Sequence, residues 1–300
     1  MSLRVIPRIL LVFAIATLSV SCKRFTTGEA KSGETLSAPK KSTEWRVDYR
    51  NSNSVVLIDE RMTFKRVSPP SPSAIRGFYL LETEVTNEMY ARYLRASGRS
   101  KGDLALIREH ERLRKTGQHR TSSVSPVYDF DNPALIWPDD SFPRGLGNLP
   151  VALITINDAR AFCEWLTLRY PDVGRFRLPT VDEWVFAAYG ENRNYPWGNQ
   201  WNTDYPCVSS AAQARMSPSP VGFHQKDRTP DGIYDLGGNL REYVGDRGSD
   251  TRFMGASFKN YADLKNEFFK PRNDYWGYVH NSGSRMEDTG FRVALQIERE

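Results

Sequence analysis

The sequence predicts an α+β fold from three observations. Short runs rich in β-branched and aromatic residues recur from about residue 45, capped helix starts are embedded among them, and the stretch after Tyr189 is dense in Gly, Pro, Asn and Trp. The first two mix strands with a few helices, and the third predicts long, ordered, irregular structure held by aromatic packing. An apolar content of 39% with 12% aromatics is enough for a real core. No period of 20–50 residues recurs, so repeat architectures are excluded.

The first element is not part of that fold. Arg4 and Arg8 precede an apolar run, Ile9 to Val20, too short to span a membrane as a helix and followed by small residues, which is the pattern of a secretory signal. The exit, "LSVSC", is similar to a bacterial lipobox. That likeness makes Cys22 the lipidated first residue of the mature chain, the other reading being an ordinary cleaved signal with a stray thiol. Residues 23–45, Ser/Thr/Gly/Lys-rich and almost without apolar side chains, read as a flexible tether.

The globular pattern then runs over 46–300. "VVLID" (Val55–Asp59) and "FYLLETEV" (Phe78–Val85) are strand-like. Thr86 is a natural N-cap, with Val85 and Tyr90 as a hydrophobic staple, and Gly98 suits the end of that helix. Residues 100–149 begin with the charged helical piece "LALIREHERLRK" and continue as loop. They hold too few apolar positions for a core of their own and read as an insertion lying over the domain. After "LPVALITI", Asn157 can cap a second helix, on which Ala159, Phe162, Cys163 and Leu166 repeat at i, i+3, i+4, i+7 and place Cys163 on the buried stripe. Thr180 and Glu183 of "LPTVDEW" form a capping box for a third helix, with Leu178 or Pro179 stapling to Trp184.

Charge and motifs exclude several functions. Residues 1–45 hold seven basic and three acidic residues, leaving 34 basic against 33 acidic in the remainder, so the folded part lacks the footprint of a nucleic-acid binder. Besides Cys22 there are only Cys163 and Cys207, which could form one disulfide but not a disulfide framework. His110, His119, His224 and His280 have no metal-ligand spacing. No Gly-rich phosphate loop or G-x-S-x-G elbow is present, and Glu82/Glu84 and Asp139/Asp140 read as ordinary solvated or capping carboxylates.

Four ordered blocks carry a resemblance: Glu82–Leu94, Pro150–Asn199, Pro220–Val244 and Phe253–Leu295. Together they resemble formylglycine-generating-enzyme-type sulfatase-modifying domains. The resemblance implies a C-type-lectin-like fold with two antiparallel sheets, two main helices and much irregular loop. It also implies a chemistry, in which paired cysteines between the "GAS" block here and the terminal "GFR" block oxidise a substrate cysteine with copper. That segment, Phe258–Thr289, has no cysteine, so the expected activity is none, because the thiolate is the reactive species. Cys163 matches a position disulfide-linked in those enzymes, but the partner position is Val293, which leaves a free buried thiol. No cofactor is required. The family's calcium sites lie around the block written "GNLREY" here, and Asn239 and Glu242 could contribute to a structural calcium.

The segment "NDYWGYVHNSGSR", Asn273–Arg285, stands where those cysteines would be and has the Tyr, Ser, Gly and Asn composition of adaptable binding loops. With the lipobox and tether, it makes the chain similar to the variable proteins of diversity-generating retroelements, most closely of the treponemal type. The resemblance implies adenine-directed diversification of a C-terminal surface that recognises a protein or glycan ligand. Its candidate contacts are Asp246, Arg247, Asn260, Tyr261, Asn273, Asp274, Tyr275, Tyr278, His280, Asn281 and Ser282, with Trp276 and Gly277 as fixed scaffold. The expected protein is a monomer held in the bacterial outer membrane by its lipid and exposed at the surface. Lys23 after the lipidated Cys22 lacks the Asp that retains lipoproteins in the inner membrane. The alternatives are an enzyme of the same fold using other residues and a structural lipoprotein of a secretion or motility complex.

Overall fold

A computed structural model describes residues 47–297, apart from 52, 71–72, 104–107, 109–111, 113–127, 130–131, 133–134, 138, 210–216, 246–250, 261–275 and 280–281. The leader, Cys22, the tether and most of "LALIREHERLRK" lie outside the described residues.

The main sheet has six strands, all paired antiparallel, in the order β1-β2-β3-β4-β12-β6. They are β1 (Val47–Asn51), β2 (Ser54–Leu57), β3 (Met62–Val67), β4 (Phe78–Leu81), β6 (Arg175–Arg177) and the terminal β12 (Ala294–Gln296). β12 is the closing strand: Ala294 lies opposite Leu80 on one side and Arg177 on the other. A second sheet has the order β11-β7-β8-β9, from β7 (Arg241–Val244), β8 (Thr251–Met254), β9 (Trp276–Val279) and β11 (Thr289–Gly290). Its pairings are antiparallel except β11 with β7. A short parallel pair joins β10 (Arg285–Met286) to β5 (Tyr128–Asp129).

Three helices are described from end to end, each started by a threonine. In α1 (Asn87–Ser97), Thr86 accepts from Met89 N and Gly98 closes the helix at φ 66, where glycine escapes the Cβ penalty. In α3 (Val181–Tyr189), Thr180 and Glu183 make the reciprocal capping box that the sequence predicts. In α2 (Ile156–Arg169) the cap is Thr155, not Asn157: Thr155 accepts from Asp158 N while the Asp158 carboxylate accepts from Thr155 N. The helix therefore starts at Ile156, because Asp at the third position closes the box as well as Glu does.

The core lies between α1, α2 and the main sheet. Phe162 is fully buried, stacks on Tyr90 at 5.9 Å, and meets Tyr93 and Phe291 edge-on at 5.3 Å each. Ile156, Ala159, Cys163 and Leu166 complete the buried stripe of α2. Each fully buried large side chain there contributes about 1.5–3 kcal/mol. Trp137, from the 100–149 segment, joins this cluster and packs edge-on against Tyr90. The chain passes from α2 to β6 through Gly174, where a Cβ would lie 2.4 Å from the Gln296 carbonyl oxygen. Only glycine admits that approach.

Cys163 and Cys207 are both buried and neither is disulfide-bonded, so the disulfide that two thiols could have formed is not made. Cys163 packs on the α2 stripe, whereas Cys207 packs with Ala152, Leu240 and Phe258. Burial holds the Cys163 thiol far above its ordinary pKa, the state of an inert core residue.

Candidate functional site

Three of the candidate contacts, Asn260, Tyr278 and Ser282, fall among the described residues, and Tyr278 lies in the β8–β9 pair. Met254 lies opposite Trp276 at one end of this pair, and Thr251 opposite Val279 at the other. Along the chain Asn260 comes six residues after Met254, and Ser282 comes three residues after Val279. Tyr278 is in β9, directly opposite Arg252. Ser282 is exposed. Asp246, Arg247, Tyr261, Asn273, Asp274, Tyr275, His280 and Asn281 lie outside the described residues.

Asn260 is tied into the scaffold. Its Oδ1 accepts from Ser257 N at 2.7 Å and Ser257 Oγ at 3.1 Å, and its carbonyl accepts from Ser209 N. Ser257 Oγ also lies 2.9 Å from Asp288 Oδ2, and Asp288 pairs with Arg241. Lys259 pairs with Glu287, whose Oε2 accepts from Asn132 N. Residues 257–260 are thus held by Glu287 and Asp288 of the turn before β11, and Asp288 is itself paired with Arg241 of β7.

Beneath β7 lies a buried polar network that sequence reasoning missed. Arg292 is fully buried and donates to Glu242 through Nε at 2.7 Å and Nη2 at 2.6 Å, to the Leu81 carbonyl at 3.2 Å and to the Tyr234 carbonyl at 2.9 Å. Glu242 also accepts from Trp184 Nε1 at 2.8 Å. Glu84, read from sequence as solvated, is fully buried instead: Leu240 N and Asn239 Nδ2 donate to its two oxygens. Asp227 accepts from Gly237 N, and Asp235 accepts from Gly222 N at 2.6 Å and hydrogen-bonds Glu84.

Four carboxylates therefore share one guanidinium. Burial first, and then their mutual repulsion, pushes Glu84 and Asp227 well above the ordinary carboxylate range. Burial likewise pushes Asp235 up to about 6. Asp235 and Asn239 hold this network with φ of 61° and 70°, a left-handed conformation that short polar side chains tolerate.

Asn239 and Glu242 do not fit a calcium site. The Asn239 amide oxygen accepts from Ser219 N at 2.9 Å, and Glu242 is already neutralised by Arg292. Among the described residues no group of three or more His, Cys, Asp or Glu is placed to hold a metal ion. A hydrogen-bonded chain, Cys207 Sγ to Ser219 Oγ at 3.3 Å and Ser219 Oγ to His224 Nε2 at 3.2 Å, borders the network. The cysteine is fully buried and Ser219 is 8% exposed, so this chain organises the loop rather than presenting a nucleophile.

The model of the family described as sulfatase-modifying factor enzyme 1-like domain matches residues 46–297. The chain is 36% identical over 166 residues to inactive C-alpha-formylglycine-generating enzyme 2 of Mus musculus, covering 50% of each chain. It is 26% identical over 214 residues to the formylglycine-generating enzyme of Streptomyces coelicolor, covering 62% of this chain and 63% of that one. It thus spans about half the length of the inactive relative and somewhat under two thirds of the enzyme. Among solved structures, Treponema denticola variable protein 1 matches with a TM-score of 0.51 at 17% identity, over 78% of this chain and 95% of that one. PvdO from Pseudomonas aeruginosa matches with a TM-score of 0.52 at 17% identity, over 85% of this chain and all of the other. These likenesses establish the fold as the C-type-lectin-like one of the formylglycine-generating-enzyme type.

Proposed function

Because the chain belongs to the family of sulfatase-modifying factor enzyme 1-like domains, we propose that it keeps the scaffold of that family and has exchanged its oxidation chemistry for ligand binding. The observation that carries this reading is the cysteine-free segment Phe258–Thr289, which offers Tyr, Asn, Ser and His where thiolates would be needed. One relative is named as an inactive formylglycine-generating enzyme and another as a formylglycine-generating enzyme, so the family's scaffold occurs with and without that activity.

In this reading the scaffold positions and the C-terminal segment recognises. The buried network around Arg292 and the ties on Asn260 fix the base of the surface. Tyr261, Tyr275 and Tyr278 supply contact area at low entropic cost, and Asn273, Asp274, His280, Asn281, Ser282, Asp246 and Arg247 adapt the hydrogen bonding to a protein or glycan ligand. The hydrogen bonds of Asn260 make it a support of this surface. The fold shared with Treponema denticola variable protein 1 supports reading the surface as diversified. The protein acts as a monomer, held in the outer membrane by lipid on Cys22 and needing no cofactor.

An oxidation assay tests the loss of chemistry. Purified chain, supplied with copper and a sulfatase-type cysteine peptide, is expected to yield no aldehyde by mass spectrometry. Aldehyde formation above the copper-only control would overturn the proposal.

A further inference from the structure

A second surface lies on elements that carry none of the candidate contacts. Arg92, Arg95 and Ala96 of α1, Trp165 and Arg169 of α2, and Asp59 and Glu60 of the β2–β3 turn line an open cleft of about 300 Å³. On α1, Arg92, Arg95 and Ala96 stand at i, i+3 and i+4, and on α2 so do Trp165, Leu168 and Arg169, so each set occupies one helix face. Leu168 is 46% exposed, one of two exposed large hydrophobic side chains among the described residues.

The charges of the cleft do not cancel. Arg169 Nε donates to Glu60 at 2.6 Å and its guanidinium lies over the Trp165 ring at 5.5 Å. Arg92 donates to the Glu60 carbonyl at 2.7 Å and pairs with Glu88 at 2.6 Å, and Arg61 pairs with the same Glu88. Arg95 is exposed and makes no ion pair among the described residues. Arg61, Arg92, Arg95 and Arg169 thus face Asp59, Glu60 and Glu88, with Arg95 as the surplus cation.

Two further facts indicate what meets this surface. An exposed leucine, a half-buried tryptophan and arginines around one cleft are the side chains that settle at a membrane interface, with apolar parts inward and guanidinium groups at the phosphates. In addition, the described chain begins at Val47, which lies opposite Leu57. The N-terminal segment therefore joins the sheet at the end from which the turn over Ile58–Arg61 projects into the cleft.

We propose that this cleft seats the phosphate of an anionic phospholipid headgroup, with Leu168 and Trp165 against the interface. The proposal takes its membrane from the reading of Cys22 as lipidated, but its residues are independent of that reading. None of the candidate contacts of the C-terminal segment lines this cleft.

The test uses the full lipidated chain with vesicles of phosphatidylcholine alone or mixed with phosphatidylglycerol. Flotation reads the anchor, and hydrogen exchange reads the cleft. Slowed exchange at 92–97 and 165–169 on the mixed vesicles only, abolished by Arg95→Glu and reduced by Leu168→Ser, supports the proposal. Both positions are exposed, and an unchanged melting midpoint will show that the variants fold. Equal protection on pure phosphatidylcholine, no protection on either, or the same protection from inorganic phosphate without vesicles overturns it. Flotation that fails on pure phosphatidylcholine sinks the anchor instead, and flotation that then returns on mixed vesicles and is lost in Arg95→Glu still supports the cleft.

Discussion

Replacing Arg292 by Met removes the buried cation that acts on Glu84, Asp227 and Asp235 and pairs with Glu242. Methionine fills much of the volume, so the change is chiefly electrostatic. Breaking a buried ion pair by removing one partner costs about 3–5 kcal/mol. The Leu81 and Tyr234 carbonyls lose their guanidinium donors as well, adding about 1 kcal/mol each. The expected loss near neutral pH is about 5–7 kcal/mol, a large part of the 5–15 kcal/mol that holds a typical domain folded. Protonation of a carboxylate of the cluster limits the damage, and its cost falls by about 2.7 kcal/mol between about pH 7.5 and pH 5.5. Urea unfolding followed by tryptophan fluorescence at both pH values measures the two deficits, with equal slopes confirming that the same surface is exposed. A deficit below about 1 kcal/mol, or one of equal size at the two pH values, would refute the assignment of Arg292 as the shared counter-ion.

Further predictions concern the same scaffold. Asp235, raised to about 6 by burial, holds its proton more tightly in the folded chain. Its contribution is therefore full below about pH 4 and lost as pH rises through about 6, a change of about 3 kcal/mol. Asp235→Asn, which suits the left-handed backbone, should gain on the native protein in melting midpoint between about pH 4.5 and about pH 7.5, and parallel profiles would contradict this. Thr155→Ala should cost about 1 kcal/mol in denaturant unfolding while Asn157→Ala costs almost nothing, the reverse pattern placing the cap at Asn157 after all. Phe162→Ala should cost about 3–5 kcal/mol by the same measurement, because the ring is enclosed by Tyr90, Tyr93, Trp165 and Phe291. A loss under about 1 kcal/mol would mean that the aromatic cluster closes over the cavity.

What could be read from sequence was mostly local. The caps at Thr86 and Thr180, the end at Gly98 and the buried stripe with Cys163 each depend on residues within seven positions. The cap of α2 was misplaced by two residues because Asn157 and Thr155 are both good caps, and only the Asp158 box decides between them. Glu84 shows the other limit. Its partners Asn239 and Leu240 are 155 and 156 residues away, so nothing near "ETEV" marks this glutamate as buried and Glu82 as outside. Arg292 lay within a recognised block, but its role depends on Glu242, Leu81 and Tyr234, which three other segments bring to it. The ordered blocks carried the family because each supplies part of one scaffold, and the missing cysteines could be seen directly. The tie between Asn260 and Ser257 had no sequence signal beyond their spacing.

Sequencing the reading frame and its flanking DNA across isolates tests the binding-face account most directly. The account predicts substitutions concentrated at codons 246–247, 261, 273–275, 278 and 280–282, arising from adenines. It also predicts constant Trp276, Gly277, Glu242 and Arg292, an Asn260 preserved by its ties to Ser257, and a neighbouring reverse transcriptase with a template copy of the segment. A segment that is uniform across isolates, or that varies no more than α1 and α2 and has no template nearby, would contradict it.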